Sequence, residues 1–213
     1  NLTITGNAEF DGDFTIKGNL VNNGVFESLE DDNTILFDGG TQSISGSGTT
    51  TFKKITLNNP AGLTFSSGTI NIEQVMESIN GTFTNSGASV ILKSSSNNNA
   101  GMLKVASSVG YSGNITAERY FNASSNGYRM VGSPIEGTTL ADWQYPSNPN
   151  GFIYCGFTGS NYTYSNCGGY CNVRFYNESN ATDINPDAGL DTATNITNPV
   201  SPAIGTLIYT SSG

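Results

Sequence analysis

The stretch DINPDAGLD carries four oxygen-bearing side chains at near-alternating positions, Asp183, Asn185, Asp187 and Asp191, with Gly189 free to let the chain curl. A hard cation takes several oxygens from one flexible loop, so this spacing points to calcium. Ala188 stands where a calcium loop usually has glycine, and Pro186 stiffens the segment. The competing reading is an Asx-rich turn with no ion. Asp31-Asp32-Asn33 is a weaker version of the same pattern.

Other acids gather as Asp11 and Asp13 in FDGDF and as Glu27, Glu30, Asp31 and Asp32 in ESLEDDN. A glycosidase needs two carboxylates at a set gap across a cleft. No such pairing is legible and no arginine lies near, so solvated acidic loops are the reading. The chain has no histidine. That removes Ser-His-Asp and Cys-His catalysis together with histidine-ligated metals. No catalytic residue is assigned, and a non-enzyme is expected.

Three cysteines, Cys155, Cys167 and Cys171, fall in one loop-rich region. In an oxidising compartment two of them pair and one is left over, and Cys155 can pair with either of the others. Around them lie Tyr154, Tyr162, Tyr164 and Tyr170, whose flat apolar faces and polar tips suit stacking on a sugar ring. The competing reading places these tyrosines in the core and rim of a β domain. Asp191-Thr192-Ala193 fits a short pattern for an O-linked glycan on Thr192, and Asn-X-Ser/Thr sequons recur along the chain.

The elements that must carry these residues are strands. Only 12% of the 213 residues are charged, with a formal net charge of -9, and Asn, Gly, Ser and Thr take the places that Lys and Glu usually fill. Secreted and surface β proteins have this composition, because Thr suits pleated surfaces and Gly and Asn suit tight turns. Eight scattered basic residues offer no stripe for phosphates, so nucleic acid is not an expected partner. Membrane insertion is not expected either. The run NLTITGN at residue 1 is already strand-like, which predicts a mature or cut end.

From residue 1 to 116, strand-like runs such as LTIT, DFTIKG, TILF, TFKKITL and SVILKS recur every 8–12 residues with Gly or Asn between them. Residues 2–24 can be laid on residues 63–87 at an offset of 61 rising to 63, about three times 21. Such a period predicts a parallel β-solenoid, or β-helix, whose stacked coils share one core. Corners are expected to use Gly and Asn at positive φ, outward positions to carry Thr and Ser, and Asn59-Pro60-Ala61-Gly62 to turn. Residues 117–213 hold longer, tyrosine-rich strands, the single Trp143 and all the cysteines, and read as a β-sandwich of jelly-roll type, either closed at the strand GTLIYT or truncated there.

The segment GTQSISGSGTTTFKKITLNNPAGLTFSSGTINI resembles the repeats of large extracellular proteins of Bacteroidota that leave the cell by the type IX secretion system. ERYFNASSNGYRMVGSPIEGTTLADWQ, VRFYNES and ATNITNPVSPAIGTLIY resemble the block that follows such repeats. The resemblance covers nearly the whole chain and implies export, a surface or secreted location and an adhesive or structural role. No C-terminal sorting domain is visible, which implies a fragment of a longer chain. The expected partners are other surface proteins or glycans, further copies of the chain in a filament, and the secretion machinery. The alternative expectation is a calcium-assisted carbohydrate-binding module.

Overall fold

The computed structural model describes residues 1–95, 100–105, 110–120, 127–133, 137–147, 151–177, 179–180, 189–200 and 205–210. They fall into two compact units, Asn1–Phe121 and Asn122–Gly213; the sequence reading placed the change at residue 116.

The first unit is a parallel β-solenoid of about five turns. Around its coils run β1 (Leu2–Ile4), β2 (Asn7–Phe10), β3 (Phe14–Ile16), β4 (Leu20–Asn22), β5 (Val25–Ser28), β6 (Thr34–Phe37), β7 (Gln42–Ser45) and β8 (Thr49–Asn58). They continue with β9 (Leu63–Phe65), β10 (Thr69–Asn80), β11 (Phe83–Asn85), β12 (Ser89–Leu92), β13 (Met102–Val105), β14 (Tyr111–Ser112) and β15 (Thr116–Ala117). One face is the sheet β1-β4-β7-β9-β11-β14. The other two merge, because β8 and β10 run through both of them. At the corner between those faces β10 sets Glu73 and Gln74 opposite Lys53 alone, a bulge that bends the long strands. The segment IEQVMES, too short to stand as a helix, lies within β10.

Side chains at one register position stack from coil to coil. On the first face Leu2 sits on Leu20, Leu20 on Ile44 and Ile44 on Phe65, in steps of 18, 24 and 21 residues. The offset that relates residues 2–24 to 63–87 therefore spans three coils. On the third face Phe14, Ile35, Ile55, Met76 and Leu103 form a second column. Phe26 and Phe52 lie tilted with centroids 5.6 Å apart, and Phe65 stacks on Phe83 at the same distance. Each fully buried side chain of this size contributes about 1.5–3 kcal/mol. Every coil supplies only a few of them, so the core exists only as a stack.

Two sequence expectations about the corners need correction. Among the described residues no non-glycine has a positive φ, so asparagine does not serve there by adopting the left-handed region. It serves through its side-chain amide. The Asn22 amide donates to the Thr49 carbonyl and the Thr50 hydroxyl, each at 2.9 Å, and its oxygen accepts the Gly24 N–H. Asn59, 1% exposed, donates to Gly40, Gly62 and the Gln42 Oε1 and accepts from Ala61 N–H. Both asparagine side chains are buried, so their amides must find partners inside. Gly62 does take the left-handed conformation the turn needs, at φ +81°. Gly24 and Gly48 serve differently: a Cβ at either would collide with the carbonyl of Gly6 or Gly24 one coil below.

The second correction concerns threonine. Thr50 and Thr51 are buried, not outward. Thr50 stands in register between Phe26 and Ile70, its hydroxyl satisfied by Asn22. Charged residues tie coils from outside: Lys17 to Asp38 at 3.3 Å, Lys93 to Glu118 at 2.8 Å, Lys104 to Glu77 at 2.6 Å and Lys53 to Glu73 at 2.7 Å.

The second unit is a sandwich-like domain built on an antiparallel sheet. Its strands are β16 (Gly127–Val131), β17 (Val173–Tyr176), β18 (Leu190–Thr192) and β19 (Thr206–Thr210), ordered β16-β19-β17-β18. Leu140, Tyr154, Val173, Val200 and Ile208 are buried in it. Isolated bridges, among them Gln144 with Phe152 and Cys155 with Tyr162, join the segments outside the sheet.

Replacing Asn59 by Leu removes the amide while keeping the volume, and strands the backbone groups of Gly40, Ala61 and Gly62. We expect the solenoid to lose about 3 kcal/mol, read from urea unfolding followed by far-UV circular dichroism. The hydrogen bond from Glu73 foremost, opposed by burial, holds the Lys53 ammonium above its usual 10.5. A raised amine favours the folded state below its unfolded pKa and ceases to do so as pH rises through the folded one. Stability should therefore fall more steeply above about pH 10.5 in the wild type than in Lys53→Met, measured by the same unfolding assay at pH 8 to 12.

Candidate functional site

The second unit contains a cavity of about 800 Å³. Four tyrosines stand on its walls: Tyr128 from β16, Tyr209 from β19, and Tyr162 and Tyr170 from the cysteine-bearing loops. Phe152 and Ile153 add apolar surface. Tyr128 and Tyr209 are directly opposed in the sheet register, their rings edge to face at 5.3 Å. All four phenols keep substantial exposure, from 39% at Tyr209 to 70% at Tyr170. Among the described residues none of the four hydroxyls has an intramolecular hydrogen-bond partner.

Asn172 fixes the base of the cavity. Its oxygen accepts the Cys155 N–H at 2.8 Å, and its amide donates to the Ile153 carbonyl at 2.9 Å and the Tyr209 carbonyl at 3.4 Å. One side chain thereby holds the 153–155 segment and β19 together. Because these groups satisfy Asn172, it positions the walls and offers nothing to a guest. Cys155 is bonded to Cys167 with the Cα atoms 6.2 Å apart, which resolves the pairing that the sequence left open. Cys171 is free and buried, its thiol donating to the Val173 carbonyl at 3.1 Å. All three cysteines border the cavity.

Among the described residues no Asp, Glu, Lys or Arg lines this cavity. What those residues offer a guest is ring faces and hydroxyls.

Of the four tyrosines expected to meet a ligand, two line the cavity and two do not. Tyr154 is fully buried between Phe152 and Phe157, at 6.2 and 5.8 Å. Its alternation within the 152–155 segment turns it inward, so its role is core, not contact. Burial pushes its hydroxyl well above the usual phenol value, and that hydroxyl has no hydrogen-bond partner. Tyr164 is exposed but lies outside the cavity, on the short 3-10 turn Tyr164–Cys167. Tyr128, Tyr209, Phe152 and Ile153 escaped the sequence reading. Strand alternation was the available signal for Tyr209, which follows the buried Ile208 and must face the other way. The register that brings Tyr128 opposite it links strands some eighty residues apart and has no local signature.

Of the expected calcium ligands, Asp183, Asn185 and Asp187 lie outside the described residues. Asp191 is on β18, and its carboxylate accepts the Asn177 amide at 2.8 Å and the Asn180 amide at 3.2 Å. Among the described residues no three Cys, Asp or Glu side chains gather as a metal site. Asp13 caps the Thr34 N–H at 2.9 Å and Asp31 reaches Lys53 at 3.5 Å, so these acids serve coil stacking. Thr192 is exposed on β18 opposite Arg174 and is open to modification. Asn161 is committed inside, accepting the Tyr154 N–H at 2.7 Å and donating to the Tyr145 carbonyl. Comparison of the chain with protein-family profiles, curated proteins and solved structures finds no match to any of the three.

Peptide mapping of the unreduced chain should recover Cys155 linked to Cys167, with Cys171 alkylated only after unfolding. A Cys155–Cys171 link would contradict the geometry. Replacing both bonded cysteines by serine should cost about 3 kcal/mol for a loop of this length, followed by the fluorescence of Trp143.

Proposed function

We propose that this chain is a non-catalytic structural or adhesive protein of the cell surface, exported as type IX cargo, in which the solenoid extends and supports a domain that makes contact. The observation that carries the reading is the solenoid itself, whose coils bury apolar columns and leave a weakly charged, Ser- and Asn-bearing exterior. Such an array gives reach without needing a reaction centre. The resemblance of the first half to Bacteroidota surface repeats, and of the second to the block that follows such repeats, supports the export route. Solenoid ends present unpaired strand edges, which supports self-association into filaments as one mode of assembly.

A second reading, a carbohydrate-binding module, is favoured by the tyrosine-walled cavity. Its calcium-assisted form rests on the spacing of residues 183–191; a glycan on Thr192 is a separate reading, supported by the exposure of that residue.

External protease applied to intact source cells should release the chain, and a strain lacking it should attach less well to surfaces. A chain protected inside the cell would overturn the surface reading. Negative-stain images of native material separate the two modes: ordered fibres mark a structural subunit and dispersed particles an adhesin.

A further inference from the structure

We infer that the cavity walled by Tyr128, Tyr162, Tyr170 and Tyr209 is a binding site for a neutral oligosaccharide, and that it needs no metal ion. The inference deepens the carbohydrate-binding reading given above and rests on it. Three observations carry it.

The first is the chemistry of the walls. A pyranose ring has an apolar face of C–H groups and an equatorial edge of hydroxyls. Tyrosine matches both at once, with a flat ring to stack on and a phenol to exchange hydrogen bonds. Here four such rings line one cavity, and among the described residues their hydroxyls have no intramolecular partner. A purely apolar guest would leave the phenols that it covers without water or partner, which is costly. A saccharide satisfies them.

The second is the absence of charge. With no Asp, Glu, Lys or Arg among the described residues of the lining, these walls do not compensate a phosphate, sulfate, uronic acid or cationic peptide. Burying an unpaired ion is unfavourable, so selection falls on neutral sugars. The usual role of calcium in sugar recognition, bridging carboxylates to vicinal hydroxyls, finds no carboxylate among the described residues of this lining.

The third is rigidity. The Cys155–Cys167 bond closes the loop that carries Tyr162, Asn172 ties the 153–155 segment to β19, and the Tyr128–Tyr209 pair is fixed by sheet register. A platform that is already ordered loses little entropy when a ligand arrives. The cavity volume, about 800 Å³, lies in the range of small-molecule sites and admits a short oligosaccharide.

The test is a glycan array probed with the full chain, carrying neutral gluco-, manno-, galacto- and xylo-oligosaccharides beside sulfated and uronic-acid glycans, with and without EDTA. Hits are then titrated calorimetrically against Tyr162→Ala, Tyr170→Ala and, as a control outside the cavity, Tyr164→Ala. Thermal unfolding checks that each variant folds, and Tyr→Phe at the same two positions separates stacking from hydroxyl contacts. We expect binding to neutral glycans that survives EDTA, falls at least about tenfold in Tyr162→Ala and Tyr170→Ala, and is unchanged in Tyr164→Ala, in keeping with the energy of a lost ring stack. Binding abolished by EDTA, or indifferent to both cavity variants, overturns this site while leaving a carbohydrate-binding module standing. Binding confined to sulfated or uronic-acid glycans likewise overturns this site alone, and a blank array overturns both.

Discussion

Everything in the first unit follows from how closely one coil must lie on the next. Parallel strands hydrogen-bond at a fixed spacing of about 4.8 Å, and the corners between faces have to close at that same spacing. At the Gly6, Gly24, Gly48 corner the carbonyl of one coil occupies the place a Cβ would take on the coil above. At the Gln42, Asn59 corner buried amides bridge backbone groups that would otherwise lie unpaired. Once the corners close, the apolar columns align without further instruction. If a corner fails to close, the register slips and the columns lose their contacts.

The same constraint explains the low charge. Inward positions are apolar or hold hydrogen-bonded Thr, Asn and Gln, and corner positions are glycine or amide. What remains for ions is the outside of the strands. There several lysines of the solenoid stand one coil away from a carboxylate, as Lys104 does in direct register with Glu77. Such cross-strand pairs contribute modestly, about 0.2–1 kcal/mol each, but they also penalise a shifted pairing. Solvated and corner asparagines repeat the device without charge: Asn19 accepts the Ser43 N–H and Asn23 the Ser47 N–H from the following coil.

How far the sequence could be read depended on how local the cause was. The solenoid was legible because its period is written in the chain: short alternations, Gly or Asn between them, and an offset divisible into coils. The turn at Asn59–Gly62 was legible because proline and glycine act on their own backbone. The inward placement of Thr50 was not, since its hydroxyl is satisfied by Asn22 from the preceding coil, a partner that only the stacked register supplies. The same applies to the cavity. Tyr162 and Tyr170 stood out by their nearness to the cysteines, yet Tyr128 and Tyr209 meet only through the β16–β19 pairing. Tyr154, in the same cluster by sequence, turns the other way into the core.

The glycine and amide corners have a consequence for the history of such a chain. Because each coil carries its own spacer and its own plugs, both of its faces already fit a copy of itself. A stretch of DNA encoding whole coils can be duplicated in frame and the product stacks at once, with no new interface to evolve. An offset of 61 rising to 63 between residues 2–24 and 63–87 is the pattern that such copying produces. Length becomes an inherited variable, adjusted by recombination, while the second unit changes on its own schedule.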